Sequence, residues 1–175
     1  MPILGIIASS LRRIIAGINW TQRTLPVSTF WRSVTFDGST FVAVAASSTT
    51  AATSADGITW TQRTLPVSAS WISVTFGSST FVTVAINSSI AATSADGITW
   101  TQRTLPTSAT WFSVTFGGST FVTVAYNSNI AATSTDGITW TQRTLPTTAT
   151  WYSVTFGGST FVAVASGSTI AATSP

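Results

Sequence analysis

Apolar and polar residues alternate along the chain in short runs, and these runs recur with a period of 40 residues. One period contains four such runs, namely Trp71–Phe76, Phe81–Ile86, Ile90–Ser94 and Ile98–Leu105. Gly, Asn, Asp and Ser separate the runs, which are themselves rich in β-branched and aromatic residues. This pattern predicts a four-stranded antiparallel meander in every period, with Pro106 ending the last strand and no helix inside the unit.

Two series of tryptophans keep the same register through the chain. They are Trp20, Trp60, Trp100 and Trp140, and Trp31, Trp71, Trp111 and Trp151. A single 40-residue sheet cannot bury both of its faces, so neighbouring units must stack on one another. We therefore predict an all-β fold, a β-propeller of four 40-residue, four-stranded antiparallel blades, with the invariant tryptophans and phenylalanines packed between the blades.

The repeats begin within a unit, which divides the chain into a leader and a repeat domain. We predict an N-terminal leader or docking segment over 1–15 and a repeat domain over 16–175. The predicted blade cores cover about 31–66, 71–106, 111–146 and 151–175 plus 18–26. In this arrangement the strand Ile18–Leu25 pairs with Ile170–Ser174 and closes the last blade without a free edge. The ring could contain four blades of one chain or eight blades of two chains, so a homo-oligomer stays open.

The composition removes most familiar catalytic chemistry. The chain has no Cys, His, Lys or Glu, which excludes Ser-His-Asp and Cys-His arrangements and histidine-rich metal sites. The only acids are Asp37, Asp56, Asp96 and Asp136, and the last three belong to repeated turns. Asp37 alone cannot supply the titratable pair that general acid–base catalysis needs. We therefore predict a protein that is not an enzyme and has no cofactor and no metal site. At the repeated turns, an aspartate that accepts hydrogen bonds from turn amides is favoured over the alternative of a hard-cation site.

The charge pattern argues against binding to nucleic acid, and the length of the apolar stretches argues against insertion into a membrane. The formal net charge is +3, and four of the seven arginines recur once per repeat, which spreads them around a ring instead of forming a basic patch. Nucleic-acid binding is therefore not predicted. No stretch approaches the ~20 apolar residues of a membrane-spanning helix, so membrane insertion is not predicted either. Met1–Ile18 has helical apolar spacing and reads as an amphipathic helix or a docking segment.

The turn that ends at each later tryptophan of the first series resembles a known sequence box. Ser94–Trp100 and its copies resemble the Asp-box of sialidase-type (BNR) propellers, shortened by one residue between Asp and Gly. In that family the box is a structural turn between the outer strands of a blade. The first copy departs from the pattern, because it has lost the aspartate. The resemblance therefore implies blade architecture and says nothing about activity.

The opening ten residues, Met1–Ser10, are similar to the first residues of many bacteriophage virion and tail-fibre-type proteins. This resemblance implies a virion-associated protein on an extracellular particle. It also implies that the N-terminal segment docks onto other virion proteins while the repeats face outward. The low content of charged residues, 6%, and the abundance of Ser and Thr suit such an exposed β-protein.

The differences between repeats collect at one edge of the predicted disc. Most variable columns lie where strand 1 starts, where strand 2 ends, and in the connections beside them, which an antiparallel meander brings to one edge. The candidate ligand-binding residues there are Phe112, Tyr126, Tyr152, Asn127, Asn129 and Arg32. We expect the three aromatic side chains to share this face, to be substantially exposed there, and to stack on a ligand.

Two functions follow from this variable face. The first is a virion structural or adhesion protein that binds a surface glycan or a protein partner through exposed aromatic and amide side chains. The alternative is an architectural protein that decorates or links a particle and has no ligand, because loops also diverge where the fold tolerates change. A glycan-active enzyme is a third and less favoured interpretation.

Overall fold

The computed structural model describes residues 17–175, which form fifteen β-strands in four sheets and no helix. The first sheet contains β1 (Trp31–Phe36), β2 (Phe41–Ala45), β3 (Ser48–Ser54) and β4 (Thr61–Ala69). The second contains β5 (Trp71–Gly77), β6 (Thr80–Ala85), β7 (Ser88–Ser94) and β8 (Thr101–Ala109). The third contains β9 (Trp111–Gly117), β10 (Thr120–Ala125), β11 (Ser128–Ser134) and β12 (Thr141–Ala149). The fourth contains β13 (Trp151–Gly157), β14 (Thr160–Ala165) and β15 (Ala171–Ser174).

Each sheet is an antiparallel meander in which consecutive strands are hydrogen-bonded neighbours. Tight turns join the strands, and the β10–β11 turn places Asn127 at a φ of 51°, a left-handed conformation that Asn tolerates better than most residues. The predicted all-β fold with one antiparallel sheet per repeat is therefore confirmed. The N-terminal leader predicted over 1–15 lies outside the described residues.

The fourth strand of each complete sheet differs from its prediction at both ends. β8 begins at Thr101 and continues through Pro106 to Ala109, although Pro106 was expected to end it. Ser88 pairs with Ala109 and Ile90 with Thr104, so the intervening part of β8 bulges away from β7. Because β8 is the outer strand and has one neighbour in its sheet, a proline without an N–H is tolerated there.

The sheets stack face to face, and the inner strands β1, β5, β9 and β13 contact one another in that order. Between the first two sheets, Val42, Val44 and Leu65 pack against Trp71 and Trp100 of the next sheet. Trp71 and its equivalents Trp111 and Trp151 are fully buried. Trp71, Trp111 and Trp151 therefore form the core between blades, as predicted, because each sheet can bury its apolar faces only against its neighbours. Trp20 and Phe36, which were predicted to pack there too, are exposed, because no neighbouring sheet of this chain covers them.

The array of sheets is open, and the predicted pairing of Ile18–Leu25 with the last sheet is not present in the structure. Residues 18–25 form no strand, Trp20 is 88% exposed, and the fourth sheet has three strands. The reason lies in the stacking order: the segment leads into β1 in the first sheet, while β15 belongs to the sheet at the opposite end. Closure of the last blade by the N-terminal strand of the same chain is thus corrected.

The repeated aspartates form the turns between the third and fourth strands. In the second sheet, Oδ1 of Asp96 accepts hydrogen bonds from the N–H groups of Ile98 and Thr99, both at 2.8 Å. The hydroxyl of Ser94 donates to the same oxygen at 2.9 Å and accepts from the N–H of Gly97. These turns satisfy backbone amides that have no strand partner, which is the structural role expected of the aspartate.

The hydrogen bonds to these aspartates make stability depend on pH. Donation from Thr99 and then Ile98 lowers the pKa of the Asp96 carboxyl, and Thr139 and Ile138 do the same for Asp136. A lowered folded pKa means that the stabilisation is complete above the unfolded pKa of about 3.9 and is lost as the pH falls through the folded value. We expect the free energy of unfolding to be level from about pH 7 to pH 5 and to fall below about pH 4, measured by urea unfolding. An Asp96→Asn variant, which no longer titrates, should show a smaller fall, and a fall that begins well above pH 5 would contradict this origin.

Candidate ligand-binding face

Three aromatic side chains meet at the edge of the third and fourth sheets. The ring centroid of Phe112 lies 5.4 Å from that of Tyr126 and 4.5 Å from that of Tyr152, with interplanar angles of 31° and 42°. We call Phe112, Tyr126 and Tyr152 the aromatic cluster. Tyr152 is 52% exposed, whereas Phe112 and Tyr126 are half-buried. The expected grouping on one face is present, and the expected high exposure holds for Tyr152 alone.

A β-bulge positions two members of the aromatic cluster. In β9, Trp111 pairs with Ala125 and Ser113 with Val124, so Phe112 is an extra residue that the ladder skips. The pairing of β13 with β14 skips Tyr152 in the same way. A bulge re-aims the side chain of its extra residue while the flanking residues stay in the ladder. The tryptophan before each bulge is therefore buried between sheets while the aromatic residue after it reaches the edge.

The β10–β11 turn places the third member of the cluster. The N–H of Tyr126 donates to the carbonyl oxygen of Thr110 at 2.8 Å, which fixes the end of β10 beside the start of β9. Oδ1 of Asn127 accepts a hydrogen bond of 2.8 Å from the hydroxyl of Thr150 in the connection to the fourth sheet. The amide oxygen of Asn127 thus links the third sheet to the fourth. Its predicted hydrogen bond to a ligand stays a prediction, since Asn127 is exposed and its amide N–H2 group can still donate.

The other two predicted site residues lie outside the cluster. Asn129 is exposed on β11, in the third sheet. Arg32 is the bulge residue of β1, and its Cζ lies 5.9 Å from the ring centroid of Phe30, a cation–π distance. Because two sheets separate the first sheet from the fourth, the structure does not bring Arg32 of this chain to Tyr152.

The acidic residues lie at the edge opposite the aromatic cluster. Asp37 follows β1, and Asp56, Asp96 and Asp136 follow the third strands, so all four stand at the end of the disc away from the bulges. Among residues 17–175, no three side chains of His, Cys, Asp or Glu lie together in a group that could hold a metal ion. Over the same residues, no helix has the length and apolar character needed to cross a membrane. The edge that holds the cluster offers aromatic rings, hydroxyls and amides.

Three solved structures show how general this fold is. Virginiamycin B lyase from Staphylococcus aureus aligns with a TM-score of 0.73 at 13% identity, over 82% of this chain and 51% of that chain. YCF48 bound to D1 peptide aligns with a TM-score of 0.68 at 20% identity, over 86% of this chain and 51% of that chain. The computationally designed Ika4 protein aligns with a TM-score of 0.66 at 11% identity, over 89% of this chain and 98% of that chain. By sequence, neither a protein-family profile nor a curated protein matches.

These similarities define the class of protein. The chain has a β-propeller-like repeat fold, and it spans about half the length of the virginiamycin B lyase and YCF48 chains that it matches. At identities of 13% and 20% the likeness concerns the fold alone. One of these neighbours carries a bound peptide, so the fold is compatible with ligand binding.

The comparison with virginiamycin B lyase corrects the prediction that the protein is not an enzyme. That neighbour is an enzyme, and it has the fold of this chain. The prediction rested on the absence of a few familiar side-chain combinations, whereas activity resides in sites that vary independently of the fold. The exclusion of enzymes is therefore contradicted.

Proposed function

We propose that this protein is a ligand-binding propeller whose binding face is the edge carrying the aromatic cluster. The observation that supports it most strongly is the contact of Phe112 with both Tyr126 and Tyr152, because Phe112 and Tyr152 occupy bulges of an otherwise repeated framework. The same bulge position holds Arg32 in the first sheet and Ile72 in the second, so the framework is constant and the exposed chemistry differs. A fixed scaffold with a varied face is the arrangement of a recognition surface.

A surface glycan is the ligand class that we favour. Tyr152 offers a half-exposed ring for stacking on the apolar face of a sugar, and Asn129 offers an exposed amide that can both donate and accept. The absence of carboxylates from this edge, among the described residues, leaves uncharged and anionic sugars free of repulsion. The cluster crosses from the third sheet to the fourth, so it suits a ligand that extends over two blades.

A peptide is the second candidate, because the neighbour YCF48 is bound to D1 peptide. A peptide would use the same rings, since tyrosine and phenylalanine also pack against apolar side chains. The location on an extracellular virion remains part of the proposal and rests on the similarity of Met1–Ser10 to phage virion proteins. Docking onto other virion proteins through that segment is proposed on the same ground.

Replacing Tyr152 by alanine should weaken ligand binding about tenfold, because one aromatic stack contributes up to about 1.5 kcal/mol. A glycan array and a peptide library, each probed with the wild-type protein, identify the ligand class, and titration then gives the change in affinity. Thermal unfolding should change little, since the Tyr152 side chain is 52% exposed.

Ile138→Ala is the matched control, because Ile138 is 46% exposed and lies at the opposite edge. It should leave binding unchanged. If Tyr152→Ala and Phe112→Ala both bind the ligand like the wild type, the aromatic cluster is not the site. The architectural interpretation, a particle protein without a ligand, would then stand.

A further inference from the structure

The two ends of the sheet array present apolar faces that residues 17–175 leave uncovered. The head face is the outward face of the first sheet, where Val34 is 58% exposed and Phe36 46%. The tail face is the outward face of the fourth sheet, where Val164 is 47% exposed. The repeat equivalents are buried: Val74, Val114 and Val154 are at most 6% exposed, and Val44, Val84 and Val124 at most 1%.

We propose that a second copy of this chain covers both faces. The head face of each copy packs on the tail face of the other, and the two contacts close a ring of eight sheets. Each joint then repeats the contact already made between neighbouring sheets within the chain. A contact between two different faces gives a closed ring when its rotation closes.

The first observation that supports this contact is a glycine that packs against a phenylalanine of the next sheet. A Cβ built on Gly77 would lie 2.0 Å from Cγ of Phe116 in the next sheet, and Gly117 faces Phe156 equally closely. At the tail face, a Cβ on Gly157 would meet nothing within 4 Å. Phe36 is the phenylalanine of the same column at the head face. Phe36 of the second copy therefore fits over Gly157.

The second observation is a hydrogen bond that recurs between each pair of neighbouring sheets. The N–H of Val74 donates to Oγ of Ser33 at 3.1 Å, and the pairs Val114–Ser73 and Val154–Ser113 repeat this bond at 3.1 and 3.2 Å. The column continues with Ser153, which is exposed on the tail face. In the ring, Ser153 accepts this bond from Val34 of the second copy.

A cleft between the third and fourth sheets lies where the earlier sheets hold a tryptophan. Trp100 and Trp140 fill the equivalent places between the earlier sheets, where each is 8% exposed. The core between the third and fourth sheets has no tryptophan in that place. A cleft of about 700 Å³ is there instead, and Leu145 and Phe161 are among the residues that line it. The next member of the series is Trp20, which is 88% exposed. We assign this cleft to Trp20 of the second copy.

The segment after Trp20 supplies the strand that the fourth sheet lacks. In the third sheet, Ala132 pairs with Gln142, and the Nε of Arg143 donates to Oγ1 of Thr133 at 3.0 Å. The same columns place Gln22 of the second copy opposite Ala172, and Arg23 of the second copy beside Thr173. Residues 21–29 of the second copy then add a fourth strand to β15 and remove its free edge.

The second copy fits better than the same chain because the first and fourth sheets are at opposite ends of the array. The joint also places Phe30, 68% exposed, where Gly167 stands in the turn. Within the chain, the residues of these two columns form polar contacts, such as the hydrogen bond from Thr150 to Asn127. Only at the joint does a large residue, Phe30, meet a small one, Gly167.

The ring would also extend the aromatic cluster. Arg32 of the second copy follows Tyr152 in the bulge column, and Phe30 accompanies it through their cation–π contact. The second copy thus contributes two side chains to the binding face of the first. Formation of the ring does not depend on the ligand, so the two proposals fail separately.

The mass in solution tests the ring, measured by light scattering on a size-exclusion column. The wild-type chain should have about twice its mass of 18.2 kDa. Gly157→Ala should have the single mass with an unchanged circular dichroism spectrum, because the added methyl meets nothing in its own chain. Ile138→Ser, at an exposed residue away from both faces, should keep the double mass. A wild-type chain of single mass, open polymers of mixed size, or a Gly157→Ala variant of double mass would each overturn the proposal.

A disulfide distinguishes two copies from one. The sequence has no cysteine, so every disulfide of the double variant Gln22→Cys with Ala172→Cys must involve the introduced residues, and the proposed pairing joins them between two chains. Oxidation should give a covalent dimer on a non-reducing gel. The control, Gln22→Cys with Ala132→Cys, should give none, because β12 already pairs with Ala132. Bonding within a single chain, or no bonding, would overturn the proposal.

Discussion

Replacing Trp111 by alanine should lower the free energy of unfolding by about 3–5 kcal/mol. The side chain is fully buried between the second and third sheets, where it packs with Val82, Val84 and Leu105. Its Nε1–H donates to the carbonyl oxygen of Thr107 at 3.2 Å, so the substitution removes a hydrogen bond as well as apolar contacts. Urea unfolding followed by tryptophan fluorescence or circular dichroism measures the change.

Asp96→Ala is the comparison for this loss. It should cost only about 1–2 kcal/mol, because the turn amides of Ile98 and Thr99 lose their acceptor but can reach water. Equal losses in the two variants would mean that the tryptophan is less important to the core, or the turn more important, than the structure indicates.

Gly117→Ala should destabilise the chain by about 1–3 kcal/mol or more through overpacking. The new Cβ would lie 2.0 Å from Cγ of Phe156, and this ring is itself held by Phe161 at a centroid distance of 4.8 Å. The ring cannot move aside without disturbing the fourth sheet. Differential scanning calorimetry gives the shift in melting temperature.

Gly157→Ala provides the matched control for Gly117→Ala, since the same methyl is added in the same column where nothing lies within 4 Å. At a dilution that keeps chains apart, it should melt like the wild type. Should Gly117→Ala also melt like the wild type, the tight stacking of the third and fourth sheets would be contradicted.

The repeat pattern predicted the sheets well, because alternation and turn residues act within about ten residues of one another. Trp71, Trp111 and Trp151 were predicted core residues, and all three are fully buried. The end of β8 was mispredicted, because the tolerance for Pro106 depends on β8 being the outer strand. The prediction that the N-terminal strand closes the last blade of the same chain was wrong. The rotation between sheets arises from long-range packing, which local periodicity does not encode.

The candidate site was predicted in part. The positions of Phe112, Tyr126 and Tyr152 in the repeat and in the hairpin predicted that these residues lie close together, and the structure agrees. The engagement of Asn127 by Thr150 was missed, because it depends on the spacing between two sheets. The close packing of Gly77 and Gly117 against the next sheet was also missed. Its signal was present in the sequence, since a glycine recurs in this column at Gly77, Gly117 and Gly157.

The bulge at the start of each inner strand separates the fate of adjacent residues. The tryptophan before it pairs in the ladder, while the bulge residue itself makes no ladder pair. Arg32, Ile72, Phe112 and Tyr152 show four chemistries at this one backbone position: cationic, aliphatic, aromatic and phenolic. A lineage of such chains can therefore change this one side chain, and with it the chemistry of the edge, while the residues that pair in the strand ladder stay the same.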